Sequence, residues 1–105
     1  MKNTKKIKLG NTKFEVTLSS EESDKQAWLK RFKKDSCKEF VIAKEKFTNY
    51  ILINDAGMKG KEYLIVVVKI VKNLMTMGEI NETNIDKLKD FMFDLWSMKH
   101  FKYIE

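Results

Sequence analysis

The side chains that carry out covalent chemistry are scarce in this chain, which has a single cysteine, Cys37, and a single histidine, His100. A Cys–His pair becomes a nucleophilic site where a helix N-terminus or a sharp turn exposes the thiol and lowers its pKa. The surrounding Asp35-Ser36-Cys37-Lys38-Glu39-Phe40 offers neither. Two such ligands also fall short of the set that zinc takes from a protein. Asp86, Asp90 and Asp94 recur one helical turn apart, a pattern of a solvated face rather than of a metal site. The expectation is a protein that is not an enzyme and holds no metal and no cofactor.

Two other patterns suit phosphate. Gly57-Met58-Lys59-Gly60-Lys61 separates a strand-like apolar run from a helical pattern. Backbone N–H groups in such a turn can cradle an anion, with Lys59 and Lys61 as the cations. The stretch lacks the spacing and the Lys-Ser/Thr ending of a nucleotide-binding P-loop. Its letters match the Gly-x-x-Gly loop of KH-type RNA-binding domains, but that loop joins two helices. A turn that simply starts a helix explains the same letters.

The stronger pattern lies in KKIKLGNTKFEVTLS, residues 5–19. Gly10-Asn11 separates two alternating runs, the signature of a two-residue hairpin with glycine first, as in a type II′ turn. Counting outwards sets Leu9 against Thr12, Lys8 against Lys13, Ile7 against Phe14 and Lys6 against Glu15. Ile7, Leu9, Phe14 and Val16 then form an apolar face, and Lys6, Lys8, Lys13 and Glu15 a charged one. Like charges directly opposite each other cost about a few tenths of a kcal/mol. A phosphate placed between Lys8 and Lys13 would reverse that sign.

The charge distribution points the same way. Of the 105 residues, 21 are Lys or Arg and 15 are Asp or Glu, for a formal net charge of +6. Residues 1–49 hold 13 basic and 7 acidic side chains, and residues 50–105 hold 8 of each, so the excess resides in the first half. A one-sided field favours an anionic partner, although lysines also serve solubility alone. The longest apolar run, Tyr63 to Val68, is too short to span a bilayer, and the N-terminus has no apolar core of a secretory signal. One unpaired thiol suits a reducing, cytoplasmic setting. Heavy use of Lys, Asn and Ile suggests an AT-rich genome, bacterial or of a mobile genetic element.

The elements that must position these lysines follow from periodicity. SSEESDKQAWLKRFKK predicts a basic amphipathic helix. Ser19 and Glu22 have capping-box spacing, acids fill the first turn, and Lys30, Arg31, Lys33 and Lys34 lie towards its end. Trp28, Leu29 and Phe32 make its narrow apolar stripe. EFVIAKEKFTNYILIN predicts a second strand pair broken near Lys44-Glu45-Lys46, with Phe47 opening the second apolar run. KEYLIVVVKIVKNLMTMG is ambiguous between strand and helix. Its length, its polar side and Gly78 as a C-terminal cap favour a helix. Asn81, Thr83 or Asn84 caps a last helix with Ile85, Leu88, Met92 and Leu95 on one face. Phe91, Met92, Trp96 and Met98 make an aromatic and methionine stripe, either core or the seam of a homodimer. HFKYIE suggests a short final strand.

The fold class expected is α+β, a single domain over residues 1–105: an N-terminal β-hairpin, a basic helix, a second β-hairpin, and two C-terminal helices packed on one face of a small antiparallel sheet. A helix-turn-helix over residues 61–98 is disfavoured, because acids match the lysines of the would-be reading helix. The leading functional expectation is nucleic-acid binding, duplex DNA before RNA, as an accessory or regulatory factor of a mobile element. Lys6, Lys8, Lys13, Lys30, Arg31, Lys33 and Lys34 would contact phosphates, from a homodimer on repeated sites. The alternative is a small inhibitor or adaptor that binds a partner protein. A membrane surface is not expected, since no helix is both basic and strongly apolar.

Overall fold

The computed structural model describes residues 2–101. The chain runs β1 (Lys2–Leu9), β2 (Thr12–Ser19), α1 (Glu22–Phe32), β3 (Phe40–Glu45), β4 (Thr48–Asn54), α2 (Gly60–Thr76) and α3 (Ile85–His100). The four strands form one sheet in the order β1-β2-β4-β3. The class is α+β, with both strand pairs, the basic helix and the two C-terminal helices in their expected order.

The first hairpin has the register that counting predicts, with Lys8 paired to Lys13, Ile7 to Phe14 and Lys6 to Glu15. Gly10 has φ +63°, which glycine tolerates because it has no Cβ. A Thr4–Thr17 side-chain hydrogen bond of 3.0 Å links the far end of the pair.

The sheet departs from the expectation in one respect: it is mixed, not antiparallel. β2 and β4 run parallel over seven paired positions, from Lys13–Thr48 to Ser19–Asn54. The cause is the placing of α1 between β2 and β3. β3 takes the far edge, and its tight turn folds β4 back into the gap beside β2. β4 is therefore covered on both faces, which explains its nearly continuous apolar run.

The larger core lies between the sheet and α2 with α3. Phe14, Val16, Leu18, Ile51 and Ile53 meet Val66, Val67, Ile70, Leu74, Leu88, Met92 and Leu95, all fully buried. The β-branched run of residues 65–68 is helical here because α2 lays a buried stripe on this apolar face. Tertiary burial overrides the local strand preference. The helix ends in a Schellman motif: the Gly78 N–H donates to the Met75 carbonyl and the Glu79 N–H to that of Leu74, with Gly78 at φ +77°.

The other face of the sheet carries only α1. Leu29, Val41, Ala43 and Leu52 are buried on that side. Trp28 packs on Phe32 and Phe32 on Tyr50, with ring centroids 4.5 and 4.9 Å apart.

Some boundaries move. The α1 N-cap is Glu21, without a side-chain cap. Ser19 instead accepts the Glu21 N–H and donates to Asp24 at 2.7 Å, so the expected capping box with Glu22 is replaced by a bond two residues further on. Asn84 is the N-cap of α3. Phe47 lies in the β3–β4 turn rather than in a strand. His100 ends α3, so the expected last strand does not start there, and residues 102–105 lie outside the described residues.

Candidate nucleic-acid interface

Strand pleating sends Lys6, Lys8 and Lys13 to the α1 side of the sheet, away from the larger core. There they border an open groove of about 470 Å³ with Glu15, Thr48 and Tyr50. Lys6 is 3.9 Å from Glu15, a loose and mostly exposed pair. Lys8 and Lys13 meet no carboxylate among the described residues and face each other in register. A polyanion in the groove would neutralise both.

Tyr50 links this groove to the basic helix. Its ring borders the groove, and the Arg31 guanidinium lies 4.9 Å from its centroid and 4.5 Å from that of Phe32. Glu45 is 3.4 Å from Arg31, but both side chains are about half exposed, so that pair adds little stability. The two rings hold the planar guanidinium in place, and its remaining N–H donors suit phosphate.

The other predicted residues divide. Lys33 and Lys34 border a neighbouring depression with Arg31, Ala43 and Glu45, on the β3 side of α1. Lys33 is also the helix C-terminal residue in the left-handed conformation, φ +55°. Lys30 is exposed but borders neither depression. Lys59 and Lys61 stand apart from the groove: they follow the far end of β4, and seven strand residues span roughly 20 Å. The Glu62 carboxylate accepts the Lys59 N–H at 2.8 Å, so this helix start already carries its own anion. The turn joins a strand to a helix, unlike a KH loop.

Three features escaped the sequence reading. First, Tyr50 borders the groove with the lysines, and Phe47, 76% exposed in the turn before Thr48, accepts the Lys13 N–H at its backbone carbonyl at 2.9 Å. Periodicity does not show that β4 is the neighbour of β2. Second, Asp55 is buried at the end of β4. Its two carboxylate oxygens take the Lys99 ammonium at 2.9 and 2.8 Å, and His100 Nε2 lies 3.1 Å from Oδ2. The His100 ring stacks on Trp96 at 3.7 Å, and Trp96 on Tyr63 at 4.4 Å. The cluster pins the end of α3 to the β4–α2 loop. Burial, with Asp55 close by, pushes the Tyr63 phenol above its ordinary range. Third, Glu79 binds Lys44 at 2.6 Å and the buried Asn49 amide at 2.9 Å. Those hydrogen bonds hold its carboxyl below the usual carboxylate pKa.

Cys37 is half-buried, and desolvation pushes its thiol up, away from the reactive range. Asp86, Asp90 and Asp94 are exposed on α3. Among the described residues no helix is long and apolar enough to cross a membrane. Compared with known proteins, the chain matches no family model, no curated protein and no solved structure. The functional reading therefore rests on geometry.

Proposed function

We propose that this protein binds nucleic acid without catalysing a reaction, with Lys6, Lys8 and Lys13 holding phosphates in the groove and Arg31 extending the contact across Tyr50. The observation that supports this reading is the register pair Lys8–Lys13: two exposed lysines face each other beside a groove, with no acid paired to either among the described residues. Lys33 and Lys34 add long-range attraction from the other side of α1. The one cysteine suits a reducing cytoplasm. Fluorescence anisotropy with a labelled oligonucleotide tests the site. The Lys8→Glu/Lys13→Glu double variant should lose binding while its melting temperature stays nearly unchanged. Undiminished binding by that variant rejects the assignment.

A second reading, a module that acts on another protein, is favoured by α2. Leu64, Ile65 and Val68 are 51%, 52% and 42% exposed on its outer side. Lys61 and Lys72 continue the same side at helical spacing, so the stripe fits an amphipathic helix with acidic flanks. Loss of function on Val68→Glu with intact oligonucleotide binding would favour this reading.

A further inference from the structure

We infer that the groove takes a single strand rather than a duplex, with Phe47 and Tyr50 as stacking surfaces for unpaired bases. This inference rests on the nucleic-acid reading and specifies its ligand.

The first argument concerns width. A two-stranded ribbon enters the major groove of DNA when it protrudes from the protein. Here β2 is a central strand, paired to β1 on one side and β4 on the other. The opposite face of the hairpin is fixed in the larger core through Phe14, Val16 and Leu18, each 0% exposed. The lysine face therefore belongs to a sheet four strands wide, about 14 Å between outer strand axes. A major groove is about 12 Å wide. Helix α1 stands on the same face, and its Arg31–Phe32 end lies against Tyr50. A duplex meets a sheet and a helix wider than its groove. A single strand can lie in the groove itself, whose lining comes from β1, β2 and β4.

The second argument concerns the aromatics. Phe47 is the most exposed large apolar side chain among the described residues, at 76%. Its backbone carbonyl accepts the N–H of Lys13, which faces Lys8 across the hairpin. Tyr50 borders the same groove. Cations for the phosphates and the Tyr50 ring thus come together in the groove from parts of the chain distant in sequence, with the exposed Phe47 one residue before its Thr48 rim. Sites that hold single strands combine these two elements: a positive channel and aromatic faces that accept any base. A closed duplex keeps its bases stacked on each other and offers none to Phe47.

The test compares labelled 12-nucleotide single strands with the matching duplexes, in DNA and in RNA, by anisotropy at two salt concentrations. The expected result is tighter binding of the single strand in at least one sugar series. Phe47→Ala should weaken it by about 5- to 150-fold, the range of one stacked base, and Phe47→Tyr should restore it. The slope of log affinity against log salt should change little in Phe47→Ala. In Lys8→Ala/Lys13→Ala, which removes the two charges without reversing them and keeps measurable binding, it should become shallower by about 1.4, at about 0.7 for each phosphate no longer neutralised. Duplex binding as tight as single-strand binding in both series overturns the inference, as does a Phe47→Ala variant that binds like the parent. If Lys8→Glu/Lys13→Glu fails to bind while Phe47→Ala is unaffected, only the single-strand inference falls. If Lys8→Glu/Lys13→Glu binds normally, the underlying reading falls with it. Phe47 is exposed in a turn, so a matching thermal melt shows that a drop in affinity does not come from unfolding.

Discussion

The two faces of the sheet treat charge in opposite ways. On the α2/α3 side, ionic groups are paired and partly or fully buried: Asp55 with Lys99 and His100, and Glu79 with Lys44 and Asn49. On the α1 side, Lys8 faces Lys13 without an acid, Lys6 has a loose partner, and Arg31 rests on two rings. Satisfied ion networks fasten elements together. Lys8 and Lys13, with no acid partner among the described residues, border an open groove instead. Under the proposed function, the contrast divides the labour: stability on one face, recognition on the other.

Removing the Asp55 carboxylate tests that division most severely. Asp55→Ala leaves the Lys99 ammonium, whose side chain is 9% exposed, without its partner. Breaking a buried pair costs about 3–5 kcal/mol, to be read by urea unfolding. Oligonucleotide affinity measured well below the new melting point should be unchanged.

Glu79→Ala comes next. It strips a charged acceptor from Lys44 and leaves a buried Asn49 amide unpaired, about 1.5–3 kcal/mol. The pH dependence has a defined sign. The folded carboxyl titrates below its ordinary 4.5, so its stabilisation is fully present above that value. It is lost as pH falls from there through the lower folded pKa. Acid unfolding curves of the parent and of Glu79→Ala should converge in that range, while a constant gap between them would exclude this role.

A smaller effect is expected at Lys33, which holds the left-handed position at the end of α1 with the Lys34 N–H donating to the Leu29 carbonyl. Lys33→Gly relieves the Cβ clash and should stabilise the fold by up to about 1 kcal/mol. Any fall in affinity then reports the missing charge alone. Smallest in stability is Lys8→Glu. It turns a like pair into an opposite pair and should raise the melting point slightly, worth about a few tenths of a kcal/mol, while weakening oligonucleotide binding. A variant both less stable and fully able to bind would contradict the contrast between the faces.

Local patterns were legible where the determining contacts are close in sequence. Gly10-Asn11 and the alternation around it set the first hairpin, because a register slip would expose Phe14 and Val16. The Gly78 cap and the polar side of residues 61–76 identified α2 despite its valines. Spacing alone misplaces the cap at Ser19 because two acceptable geometries compete within three residues, and Asp24 decides between them. Phe47 reads as a strand residue because apolar character alone does not mark a two-residue turn. The site was legible only in its cations. Tyr50 with Arg31 and the Asp55 and Glu79 networks join residues 19 to 45 positions apart, and no spacing rule links them.

Composition and periodicity by themselves determined the class, the element order and which face of the first hairpin is charged, since side-chain alternation and turn chemistry act over a few residues. Only the tertiary structure decided that β4 enters beside β2, because strand order depends on which apolar surfaces bury best together. That placement brought Tyr50 to the lysines, joined the Phe47 backbone to Lys13 and formed the groove.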